Sequence, residues 1–120
     1  MMFALTVQQN YFLYHEPTDM RKGFNGLSGL VRNELDKDPL SGDVFIFINR
    51  RRNKMKLLVW ESSGFVLYYK GLEQGTFELP SFQYGECSSK ISWRDLVLIL
   101  EGVQLSSIKK RKRFSLGQTG

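Results

Sequence analysis

The sequence predicts an α+β domain: an antiparallel sheet of four or five strands, ordered as a meander, with two helices packed on it. Three observations carry that expectation. Short apolar and aromatic stretches recur between residues 11 and 80, separated by turns bearing glycine, serine or proline. Met20, Phe24, Leu27 and Val31 recur at the three- and four-residue spacing of a helix. A second helical signature, SWRDLVLILEGV, follows the strands instead of alternating with them.

The elements follow in order. YFLY, Tyr11 to Tyr14, reads as a first strand closed by Pro17. Thr18 is placed to cap a helix and Asp19 to complement its dipole, so the helix is expected to run from there to about Leu35. Pro39 and Gly42 then enforce a turn. DVFIFIN is an almost unbroken apolar run, the pattern of a strand buried on both faces. The basic tip RRRN separates it from KMKLLVWE, and SSG separates that strand from FVLYYK. A glycine-containing connection leads to an expected short final strand ending at Pro80, and residues 81–91 read as polar loop. Ser92 with Asp95 forms a capping pair for the second helix, with Gly102 at its end.

Gly23, Gly26 and Gly29 lie within the first helical pattern, although each glycine inside a helix costs about 1 kcal/mol relative to alanine. One reading is close packing of the helix backbone on the sheet. The other is an anion site formed by the helix N-terminus with Arg21 and Lys22. Both can hold, since the glycines lie deeper than the charges.

A chain of 120 residues supports one core, and 42% apolar composition is that of a globular protein. The domain is expected over residues 1–105, followed by a basic flexible tail over 106–120. No apolar run reaches the length of a membrane span, and the N-terminus lacks the features of a signal peptide. A lone cysteine, Cys87, excludes an internal disulfide and fits a reducing cytoplasm.

The net charge of +5 is unevenly placed. Lys109, Lys110, Arg111, Lys112 and Arg113 are consecutive; the remaining twelve basic residues match the twelve acidic ones. A second cluster, Arg50, Arg51, Arg52, Lys54 and Lys56, lies in the body. Such concentration favours an anionic partner over a merely solubilising surface. Lys54 and Lys56 share a strand face, so both are expected to extend the positive surface of the tip. Guanidinium forks pair with phosphates bidentately. Trp60, Phe65, Tyr68, Tyr69 and Phe77 offer a base-stacking face, against the ordinary alternative of cross-strand and core packing.

Enzyme readings find little support. His15 is the one histidine, which rules out multi-histidine metal sites within one chain. Asp19, Asp43, Glu61, Glu73 and Glu101 have no metal-site spacing, and GFNGLSG has neither dinucleotide-binding nor P-loop spacing. No catalytic residue and no cofactor is expected.

TDMRKGFNGL, DPLSGDVFIFINRRRNKMKLLVWESSGFVLYYKGLEQGTFELP and DLVLILEGV resemble, in order and spacing, the small accessory protein of insertion sequences of the IS-sixty-six class. That protein is often called TnpB or the second open reading frame, and is distinct from the RNA-guided nuclease sharing the name. The likeness runs from about residue 12 to residue 105. Glu61 stands where the family usually has aspartate, Gly71 where it has arginine, and Leu79 where it often has tryptophan. The resemblance implies a role in transposition beside a separate, larger transposase. The expected partners are DNA, through its phosphates or at element ends, and the transposase or other element-encoded proteins. The nucleic-acid contacts are expected at Arg50, Arg51, Arg52, Lys54 and Lys56, extended by Arg21 and Lys22, with Lys109 to Arg113 adding nonspecific affinity. The alternative is a protein-docking module using the sheet or Leu96, Leu98, Ile99 and Leu100 of the second helix.

Overall fold

The computed structural model describes residues 5–83 and 85–101. The expected Gly102 cap, the domain limit at residue 105 and the basic tail lie outside them. Seven elements follow in order: β1 (Tyr11–Tyr14), α1 (Phe24–Asn33), β2 (Val44–Ile48), β3 (Lys54–Glu61), β4 (Gly64–Gly71), β5 (Ser88–Ile91) and α2 (Trp93–Leu100).

The five strands form one mixed sheet in the order β4-β3-β2-β1-β5. The α+β class holds, but the meander is confined to β2, β3 and β4, which pair antiparallel in sequence. β1 instead runs parallel to β2, with Tyr11 opposite Val44, because the chain crosses over through α1 before returning. β5 adds antiparallel to the other side of β1, with Tyr11 opposite Ile91. The expected last strand before Pro80 is absent; β5 comes from the segment read as polar loop.

Alternation along the strands sorts the core into two layers. Tyr11, Leu13, Val44, Ile46, Met55, Leu57 and Val59 face α2 and meet Leu96 and Ile99. Tyr14, Phe45, Phe47 and Leu58 face α1 and meet Leu27 and Val31. The helices therefore cover opposite faces, and every residue of β2 is buried, as its apolar run foretold.

α1 starts at Phe24, five residues later than expected. The Thr18 amide donates to the Ile48 carbonyl at 2.9 Å, which continues the contact of the β1 segment with β2 and removes Thr18 as a cap. The Asp19 carboxylate accepts from the Arg21 amide at 2.9 Å, and the Lys22 amide donates to the Asp19 carbonyl at 3.1 Å. This closes a turn instead of a helix, and Gly23 becomes an N-cap with no side-chain cap. At the other end the Leu35 amide reaches the Leu30 carbonyl at 3.1 Å, Asp36 takes the left-handed conformation, and the Lys37 amide turns back to the Val31 carbonyl at 3.0 Å.

The close-packing reading of the glycines is overturned. A Cβ added at Gly23 or Gly29 would meet nothing within 4 Å, and one at Gly26 would meet only the Lys22 side chain. α2 begins as expected, with the Ser92 hydroxyl accepting from the Asp95 amide at 3.0 Å.

Candidate nucleic-acid interface

The basic tip is the five-residue connection between β2 and β3, and its backbone is fixed by asparagine. Asn49 Oδ1 accepts from the Asn53 and Lys54 amides, both at 3.0 Å, while Asn49 Nδ2 donates to Asn53 Oδ1 at 2.8 Å. The Arg52 amide donates to the Asn49 carbonyl at 3.0 Å, and Arg52 takes a left-handed conformation. From the side, the Leu72 amide reaches the Asn53 carbonyl at 2.8 Å and the Phe77 amide the Arg52 carbonyl at 2.7 Å. Phe77 is buried, so the segment after β4 is anchored in the core and braces the tip.

On this frame Arg50, Arg51, Arg52 and Lys54 are exposed. Among the described residues the one ion pair joins Asp19 and Arg21, so the four tip cations carry no carboxylate partner within 4.0 Å. A rigid turn presenting unpaired guanidiniums suits phosphate recognition, because little backbone order is lost on binding.

Lys56 does not join them, contrary to expectation. It shares a strand face with Lys54, but it is only 7% exposed. Its ammonium donates to the Met20 carbonyl at 2.6 Å and the Lys22 carbonyl at 2.8 Å, and lies 4.7 Å from the Tyr69 ring centroid. The same strand face carries Leu58, which is core, so depth along the strand separates the two lysines.

Arg21 and Lys22 are exposed on the turn that Lys56 holds down. The Thr18–Ile48 bond brings this turn to the same end of the sheet as the tip. The Arg21 guanidinium is bidentate on Asp19, with contacts of 2.7 to 3.1 Å, although its side chain is 91% exposed. That pairing holds the Asp19 carboxyl down from 3.8 to about 2, through the side-chain hydrogen bond first and the Arg21 amide second. Arg21 therefore adds to the positive surface only by leaving Asp19. Lys109 to Arg113 lie outside the described residues.

The five aromatics do not make one face. Trp60, Phe65 and Tyr69 share the α1 side of the sheet, Tyr68 points to the other, and Phe77 is core. Sequence reasoning missed a different aromatic. Phe82 stacks on His15 with ring centroids 3.6 Å apart and an interplanar angle of 18°. His15 is held by the Glu86 carbonyl at Nδ1, 2.7 Å, and the Ser89 hydroxyl at Nε2, 2.9 Å. No local pattern links residues 15 and 82; only the β1–β5 pairing brings their segments together. The asparagines flanking the arginines were legible as N-R-R-R-N, a tip with a local acceptor at each end.

Of the helix residues considered for docking, Leu96 and Ile99 are buried in the core, while Leu98 and Leu100 are half-buried. Among the described residues no three His, Cys, Asp or Glu side chains gather as a metal site, and no helix is long and apolar enough to cross a membrane.

Residues 9–110 match the family described as IS66 Orf2 like protein. Two proteins of Sinorhizobium fredii (strain NBRC 101917 / NGR234), both described as uncharacterized, are similar over most of their length. Protein y4jC is 33% identical over 96 residues, 80% of each chain. Protein y4hO is 35% identical over 86 residues, 72% of this chain and 73% of its own. No solved structure gives a significant match. The chain belongs to the IS66 Orf2-like family, and is an accessory protein of an insertion sequence.

Proposed function

We propose that this member of the IS66 Orf2-like family is a non-catalytic nucleic-acid-binding factor that acts in transposition beside a separate transposase. The observation that carries the reading is the braced turn presenting Arg50, Arg51, Arg52 and Lys54 without carboxylate partners among the described residues. Lys22 flanks this surface, and the Lys109 to Arg113 run adds affinity that does not depend on sequence. The protein works in the cytoplasm, where the element's DNA is.

The test is duplex binding as a function of salt, comparing the native chain with an Arg50→Ala, Arg51→Ala, Arg52→Ala variant on element-end and scrambled DNA. Loss of up to three phosphate contacts lowers the salt slope by roughly 0.9 per contact. Unchanged affinity and slope in a folded variant would discard the site.

A second reading is favoured by β4. It is an eight-residue edge strand carrying Phe65, Val66, Leu67, Tyr68 and Tyr69, and Tyr69 is 51% exposed. A strand of the transposase adding there would give a complex that survives salt concentrations at which phosphate binding fails. Co-purification that disappears in moderate salt would count against it.

A further inference from the structure

Beside the basic tip lies a cleft of about 170 Å³ that shares Arg50 and Arg52 with the duplex-binding surface. Its walls come from three places in the chain: Leu13 to Pro17 at the end of β1 and just beyond, Ile48 to Arg50 with Arg52 where β2 passes into the tip, and Leu79 with Phe82 from the segment after β4. The cleft thus brings two arginines and an aromatic residue together. The His15 ring stacks on the Phe82 ring, and Phe82 is still 44% exposed. His15 is itself held at both ring nitrogens, so Phe82 rests on a fixed platform. Glu16 contributes one carboxylate against the charges of Arg50 and Arg52, and the cleft remains net positive.

We infer that this cleft takes an unpaired nucleotide of single-stranded nucleic acid, the base stacked on Phe82 and its phosphate held by Arg50 and Arg52. The inference rests on the nucleic-acid reading above and narrows it to a strand form. Stacking on an aromatic face requires a base free of its partner strand, whereas phosphates alone are available on either form. A duplex presents the same backbone charge to the tip but no base to Phe82. Single-strand affinity should therefore depend on the ring, and duplex affinity should not.

The experiment uses the full chain with labelled oligothymidylate and a labelled duplex at one salt concentration. Phe82→Ala is expected to weaken single-strand binding roughly five-fold or more and to leave duplex binding unchanged. Phe82→Trp retains the stacking surface; its emission should be quenched by the single strand beyond the native chain's response, and not by duplex. Quenching also decides the matter if Phe82→Ala fails to fold. Equal losses on both forms with Phe82→Ala, or no loss on either, would overturn the inference, as would an unquenched Phe82→Trp. The triple arginine variant separates the two levels. If it binds both forms as the native chain does, the parent reading fails. If it loses duplex binding while Phe82→Ala still binds the single strand normally, only the stacking site fails.

Discussion

The Lys56 ammonium, on the third residue of β3, donates to the Lys22 carbonyl at 2.8 Å, 34 residues earlier in the chain. A lysine in a basic cluster thereby acts as the clamp of the turn that carries other basic residues. With the Met20 carbonyl and the Tyr69 ring, it fixes residues 19–22 to the sheet without a carboxylate. The buried ammonium is satisfied by two backbone carbonyls, so removing them would leave a charge with its desolvation cost uncompensated.

Lys56→Met should therefore destabilise the fold by about 3 kcal/mol, since hydrogen bonds to charged groups contribute roughly 1.5–3 kcal/mol each. Urea unfolding measures it. Where the variant remains folded, its nucleic-acid affinity should match the native chain's. A stable variant that binds weakly would return Lys56 to the contact surface.

Asp19 and Arg21 predict a weak acid sensitivity. The folded carboxyl titrates at about 2, below the ordinary 3.8, so the unfolded chain takes up the proton first. The pairing contributes in full above 3.8 and is lost as pH falls from 3.8 through about 2. Both groups are exposed, so the effect is small and screened by salt. A carboxyl titration followed by NMR should place the Asp19 midpoint near 2, and Arg21→Gln should move it up toward 3.8. An unmoved midpoint would mean that the pair does not hold in solution.

The helix glycines give opposite expectations at neighbouring sites. Gly29 is inside α1 and a methyl group there has free space, so Gly29→Ala should raise stability by about 1 kcal/mol. At Gly26 the added Cβ would lie 3.1 Å from Lys22 Cβ and Cγ, and displacing those carbons offsets the gain. Thermal melting of the two variants tests the contrast, and equal stabilisation would show that Lys22 gives way freely.

Asn49 should matter to the tip through the backbone it holds. Asn49→Ala removes the acceptor of two backbone amides and should lower stability by about 1–3 kcal/mol. Amide exchange at Asn53 and Lys54 should quicken first. If those amides remain protected, the flanking bonds from Leu72 and Phe77 suffice to hold the turn.

The sequence was most legible where a strand's own side chains determine its environment. VFIFI and KMKLLVWE are apolar on both faces or nearly so, and only a central position in a covered sheet accommodates them. SSKI was missed because two serines and a lysine carry no strand signature; its conformation comes from hydrogen bonding to β1. Phe77 misled for the reverse reason. It is buried as its apolar character requires, but its amide goes to the Arg52 carbonyl and not to a neighbouring strand. The start of α1 was lost to a tertiary contact, the Thr18–Ile48 bond, that local capping preference does not encode. The tip was foreseeable from its consecutive arginines, whereas the cleft at Phe82 depends on segments that only the folded sheet brings together.

The placement of β5 sets an order on how the molecule is made. β1 emerges early from the ribosome, but one of its edges is completed only by a strand more than seventy residues behind it, as the His15–Ser89 contact spans 74 positions. Until then the nascent sheet offers a bare strand edge, and the long closure makes the last step slow relative to the local hairpins. β2, β3 and β4 can assemble first as a unit of short-range contacts. The arginine tip would form with them, while the pocket at His15 and Phe82 would appear only once β5 has been made.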